Sequence, residues 1–211
     1  MRYVRLTSLA LSVLLFALVA RAQVVVPNSD GIDARADAGA IAARLASPDA
    51  IERQKAAEAL ATLAAVNQKK LIEGYRVQEK DKRVRLALDW ALYRIGKSET
   101  LFQIVRELDS GRHDQAVRYL SQLESPEPLH DLLARENKEP RITAGVLQAL
   151  AKIGNADSVE RIKPFRDSFA PGVAGAAETA IDSIEQRLAQ GETVLPSRPR
   201  TVSKSDEPSS P

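Results

Sequence analysis

Cysteine is absent from all 211 residues, which excludes disulfides, thiolate nucleophiles and cysteine-bound metals and leaves stability to packing alone. Aromatic residues are scarce at 4%, with one Trp, four Tyr and four Phe, so aliphatic side chains must fill any interior. Much of the 44% hydrophobic content is Ala and Leu, which favour helix and close helix packing. Only two histidines occur, His113 and His130, without a His-Glu-x-x-His spacing, and the expectation for each is a surface or helix-cap role. No glycine-rich phosphate loop and no Gly-x-Ser-x-Gly elbow is present. The carboxylates, Glu136 and Glu139 among them, have the distribution of solvated helix faces. No catalytic residue, metal ligand or cofactor is therefore expected, and the chain does not read as an enzyme.

A long hydrophobic run is also missing. The one apolar stretch, "LTSLALSVLLFALVA", follows the positive start "MRYVR" and precedes "ARA" ending at Ala22, the pattern of a secretory signal cleaved before Gln23. Its length falls short of the roughly 20 residues that span a bilayer, so no stable membrane insertion is expected after cleavage. The formal charge of the full chain is +2, and loss of Arg2, Arg5 and Arg21 with the leader leaves −1. A nucleic-acid binder needs a strong positive field, and neither this charge nor export to the periplasm or medium suits one.

What is abundant is a repeat. "RITAGVLQALAKIG", residues 141–154, matches "RVRLALDWALYRIG", residues 83–96, at five of fourteen positions. Its apolar anchors Ile142, Val146, Ala149, Leu150 and Ile153 lie along one helical stripe, and the same template fits Val84, Leu88, Ala91, Leu92 and Ile95, and again Val173, Ala177, Ala180, Ile181 and Ile184. Two weaker copies hold Ala56, Ala59, Leu60 and Leu63, and Ala116, Tyr119, Leu120 and Leu123. The strongest anchor recurs at Leu60, Leu92, Leu120, Leu150 and Ile181, at intervals of 32, 28, 30 and 31 residues. A shorter apolar pattern precedes each copy (Ile41 and Leu45; Leu71, Ile72 and Tyr75; Leu101 to Leu108; Leu129 to Leu133; Val159 and Ile162), so each unit predicts a helix pair.

Breakers fall between the helices. Gly96 and Gly154 stand where a left-handed residue closes a helix, Asp157-Ser158 can cap the next, and Pro164 should kink or end a first helix. A lone pair cannot bury both apolar faces, so the units must stack into a continuous core. The expected class is all-α, an α-solenoid of about five antiparallel helix pairs. Residues 1–22 form the signal, 23–35 an extended lead-in, 36–190 the repeat domain and 191–211 a disordered Pro/Ser-rich tail.

The segments "EALATLA", "WALYRIG" and "QALAKIG", with their preceding turns, resemble HEAT-like repeats of the short variety, about 30 residues long, also found in phycocyanobilin lyases. The resemblance covers about residues 36–190 and implies a helical superhelix. It implies no activity, because the shared motif is a packing motif and an exported chain has no place for bilin chemistry.

The one unit that departs from polar patterning is the second. Leu86, Trp90 and Tyr93 project away from the core anchors at spacing i, i+4, i+7, whereas the equivalents of Trp90 are Glu58, Arg118, Gln148 and Thr179. Residues 69–97 carry nine Lys or Arg against four acidic residues. Two readings follow: Trp90 packs against a neighbouring helix, or Arg85, Leu86, Trp90, Tyr93 and Arg94 form an aromatic patch with a basic rim that binds an acidic protein segment. On the second reading the chain is an exported scaffold for protein–protein interaction through its concave face, or else an accessory subunit of an exported enzyme or envelope complex.

Overall fold

The computed structural model describes residues 37–135 and 139–191. The signal segment and lead-in, and the tail beyond Gly191, lie outside these residues. Ten α-helices with short 3₁₀ turns, and no strand, make up the described chain. They are α1 (37–43), α2 (Ala50–Thr62), α3 (Lys69–Gln78), α4 (Lys82–Arg94), α5 (Leu101–Arg106), α6 (His113–Leu120), α7 (Glu127–Ala134), α8 (Pro140–Ile153), α9 (Ala156–Ile162) and α10 (Pro171–Ala189). None is long and apolar enough to cross a membrane.

Successive helices pack as neighbours, α3 on α4, α5 on α6, α7 on α8 and α9 on α10, while the even-numbered helices also touch in series from α2 through α10. The recurring anchors form the shared core. Leu60, Leu88, Leu92, Leu120, Leu150 and Ile184 are fully buried in one cluster that runs from Ala38 to Ile184. Burying one such side chain contributes roughly 1.5–3 kcal/mol, and stacked units share that burial. Packing is most extensive between α2 and α4 and between α8 and α10, where the residue before the leucine-like anchor is alanine.

The helix ends follow local chemistry. Asp49 accepts a hydrogen bond from the Ile51 amide at 2.9 Å and Asp81 accepts from the Arg83 and Val84 amides at 2.8 and 3.1 Å, each satisfying donors that the first turn leaves open. Gly96 takes a left-handed φ of 97°, and the Lys97 and Gly96 amides donate back to Leu92 and Tyr93, closing α4 in a Schellman turn. The same turn closes α2, with Ala64 at φ 45° in the glycine position. Arg53 of α2 grips Glu79 through two bonds of 2.8 and 3.0 Å, tying α2 to the turn between α3 and α4. That guanidinium holds the Glu79 carboxyl below its usual range.

Several expectations need correction. Leu63 is 40% exposed, because α2 ends at Thr62 and the chain turns at Ala64; Leu71 is exposed too, while Ala59 and Ile142 are only partly buried. Gly154 has an ordinary negative φ, so it is no left-handed cap; a Cβ there would lie 2.5 Å from Ile184 Cδ1, and glycine is what lets α10 approach. The cap of α9 is Asn155, not Asp157, in a reciprocal pair with Ser158. Tyr119, the one large side chain where the other units carry alanine, is fully buried. Pro164 does follow the end of α9, in a 3₁₀ turn from Lys163 to Asp167.

Candidate interaction surface

Helix α4 separates the five residues of the patch expected from sequence. Trp90 is 3% exposed and Leu86 is buried with it, so neither is part of an open surface, and the packing of a middle helix on more than one side is what the structure contains. Trp90 lies between two rings, stacked on Tyr93 at 5.7 Å and on Tyr119 of α6 at 5.5 Å with planes 4° apart. The Arg94 guanidinium sits over the Trp90 ring at 5.5 Å and donates to the Gln122 carbonyl, which buries it as well. Tyr93 is half-buried, and only Arg85 is exposed. Arg85 points elsewhere, donating two bonds to the Glu79 carbonyl.

Two polar equivalents of Trp90 are bonded to each other, and one of them to the tyrosine that stacks on its ring. Glu58 of α2 and Arg118 of α6 meet across α4 at 3.0 Å, although sixty residues separate them in sequence. The same Glu58 oxygen accepts the Tyr119 hydroxyl proton at 2.5 Å and a Gln54 amide bond at 3.0 Å, while Gln115 donates to the Tyr119 oxygen at 2.8 Å. Burial first, and the Glu58 carboxylate second, push the Tyr119 hydroxyl well above its usual range, so it stays a donor. One unit further on, Gln148 bonds His113 at 3.0 Å. Residues at this position thus join α2, α4 and α8 to α6.

Two clefts flank α4. At its C-terminal end a mostly apolar cleft of about 410 Å³ is lined by Ala64, Val66, Tyr93, Leu123, Glu124 and Pro128 among others. Burial raises the Tyr93 hydroxyl pKa, and Glu124 adds to the shift. Toward the N-terminal half of α4 lies a polar cleft of about 450 Å³, formed by α3, α4, α5 and the turn before α6. Four arginines line it, Arg76, Arg85, Arg106 and Arg112, together with Asp89 and Glu107. Asp89 is buried, which pushes its carboxyl up, against the pull of the Arg76 guanidinium paired with it.

Arg76, Arg106 and Arg112 were not singled out by composition, because they come from separate elements and two lie outside the basic stretch 69–97. A signal existed: Arg76 and Arg106 stand thirty residues apart, one repeat length, at the ends of successive first helices. Only a reading that superposes first helices, as well as second helices, would bring them together.

The histidines are structural. His113 bridges the Leu108 carbonyl at 2.7 Å and Gln148. His130, expected at the surface or a cap, is 4% exposed and reaches the α9 cap, with Nε2 at 2.7 Å from Ser158 Oγ and Nδ1 at 3.6 Å from Asp157. This resembles a serine, histidine and carboxylate relay in composition, but Ser158 has no exposed surface and its Oγ is held by both the Asn155 amide and Asn155 Oδ1. A substrate could not reach it, and the trio fastens α7 to α9. Among the described residues no cluster of three potential ligands could hold a metal ion.

No protein-family model matches the chain, and no characterised protein matches it at a significant level.

Proposed function

We propose that the chain is an exported, non-enzymatic repeat scaffold, a HEAT-like α-solenoid of five antiparallel helix pairs that mediates protein–protein interaction. The carrying observation is the set of bonds made by the repeated position: Glu58 of the first unit bonds Arg118 of the third, and Gln148, the next equivalent, bonds His113 of the unit before it. Such registration suits a continuous array, which offers long surfaces and clefts to a partner instead of one enclosed pocket. The export reading rests on the leader pattern up to Ala22.

The shape is tested by small-angle X-ray scattering, which should give a maximum dimension well beyond that of a compact globule of equal mass. Protein recovered from the periplasm or medium should begin at Gln23. Cross-linking the tagged mature chain in an envelope fraction should return one partner in near-stoichiometric amount. A compact scattering profile overturns the solenoid. Retention in the cytoplasm overturns export, and the absence of any stoichiometric partner overturns the scaffold role.

A further inference from the structure

We propose that the arginine cleft beside α4 takes an extended acidic peptide segment whose carboxylates are bound by Arg85 and Arg106. The inference rests on the scaffold reading and names how the scaffold would hold its partner. Two of the four guanidiniums are already engaged and fixed in place. Arg76 pairs with buried Asp89, and Arg112 pairs with Glu107, whose carboxylate also accepts from Ser110 Oγ at 2.6 Å. These two pairs are neutral and hold their side chains in place, which leaves the uncompensated charge to Arg85 and Arg106. Arg85 is anchored on one edge by the Glu79 carbonyl and exposed on the other, and Arg106 makes no ion pair or side-chain hydrogen bond among the described residues.

Four guanidiniums face two carboxylates, so the cleft keeps a surplus of two positive charges in a mature chain of formal charge −1. Planar guanidiniums match carboxylates through paired hydrogen bonds, which are among the stronger contacts a surface can offer. The remaining lining favours a peptide over a small anion. Val77 stands in the wall 79% exposed, and Gln103 presents an amide beside it. A cleft of about 450 Å³ is far larger than one oxyanion, which would leave Val77 wet and Gln103 without a partner from the ligand. An extended segment with acidic residues on either side of an aliphatic one covers Val77, pairs its backbone with Gln103 and places its carboxylates on the free arginines.

The test uses the full purified chain and a fluorescein-labelled peptide of alternating Glu and Val, followed by anisotropy at low and physiological salt. Arg85→Glu with Arg106→Glu should weaken binding by more than about tenfold, since two charge-assisted contacts are reversed in sign. Arg85 also holds the Glu79 carbonyl, so Arg106→Glu alone, at an exposed position, is measured beside the double variant; it should keep the melting temperature and still weaken binding severalfold. The charge-matched pair Lys70→Glu and Lys152→Glu, also exposed but away from the cleft, should leave binding nearly unchanged. Equal loss in both variants, or no loss in the first, overturns the proposal. So does displacement of the peptide by millimolar inorganic phosphate with no requirement for Val77, read with Val77→Ser. If the cleft variant loses the peptide but keeps the cross-linked partner, the partner site lies elsewhere and the inference fails while the scaffold reading stands. Peptide binding without any cellular partner is the opposite case, in which the cleft holds its ligand and the scaffold reading fails.

Discussion

Trp90 and Tyr119 are two departures from the repeat that compensate one another. The residue before the leucine-like anchor is alanine in four units, at positions 59, 91, 149 and 180, and tyrosine only at 119. The larger side chain holds α6 off α4, and the ring of Trp90 occupies the space so opened, stacked at 5.5 Å. Trp90→Ala should cost about 3–5 kcal/mol in urea unfolding, as a buried aromatic truncation. Combining it with Tyr119→Ala should fall short of additivity by about 0.5–1.5 kcal/mol, the range of stacked aromatic pairs. Strictly additive costs would mean the rings do not share a cavity. Ala64 is a second residue in tension with its place, since it holds φ 45° where its equivalent thirty-two residues on is Gly96. A left-handed non-glycine residue costs about 1–2 kcal/mol, and glycine gives back part of that in unfolded-state entropy. Ala64→Gly should therefore stabilise by about 0.5–1 kcal/mol, and any loss of stability would place the strain elsewhere.

The presence of the helices and the pairing of neighbours were the legible part of the sequence, and the reason is periodicity: Leu88, Leu92, Val146 and Leu150 must face inward in any helix that buries them. The stripe failed at its edges, as at Leu63 and Leu71, where helix ends decide burial and a periodic template carries no information about ends. It left Trp90 open between two readings because the ring is covered by Tyr119 of another helix and by Arg94 turned back over it, contacts that a one-helix template does not carry. Gly154 shows the same limit, since its role is set by Ile184 on another helix. Gly154→Ala should cost about 1–3 kcal/mol as an overpacking change at the α8–α10 contact, where the Leu150 carbonyl also lies 2.6 Å from a built Cβ. A neutral outcome would mean that α10 can retreat freely. The α7–α9 joint carries a pH signature. Burial, with Arg161 adding to it, lowers the His130 pKa below its ordinary 6.5, opposed by Asp157, Glu127 and Asp131. The native state thus binds fewer protons than the unfolded one, and stability should fall as pH drops from about 6.5 toward the folded pKa. Carboxylates such as Asp157 and Glu127, whose pKa values are lowered, begin to matter only below about pH 4.5. Urea midpoints compared at pH 7.5 and 5.5 should show the loss in the native chain and much less of it in His130→Gln; an equal slope in both would exonerate the histidine.

At the scale of the whole molecule the weak point is the third unit. Its helices span six and eight residues, whereas α4, α8 and α10 span thirteen, fourteen and nineteen. The most extensive helix packing lies on either side of it, α2 on α4 and α8 on α10, and α4 meets α6 only sparsely. The contacts that bridge the gap centre on Tyr119: its ring stacks on Trp90 and its hydroxyl donates to Glu58, while Arg94 bonds the Gln122 carbonyl and Gln115 bonds the Arg83 carbonyl. The Glu58–Arg118 pair is half-exposed and screened by water, so it adds at most a few tenths of a kcal/mol. Stability in a repeat array is close to a sum of unit terms and nearest-neighbour interfaces, so weakening one interface decouples what lies on either side. Tyr119→Ala should then convert a single unfolding transition into two, with native-state hydrogen exchange showing the amides of α2 and α4 opening at a different free energy from those of α8 and α10. A variant whose amides on both sides lose protection together, by one common amount, would show that α4 and α6 are joined as firmly as the other pairs and that the aromatic stack is packing without a coupling role.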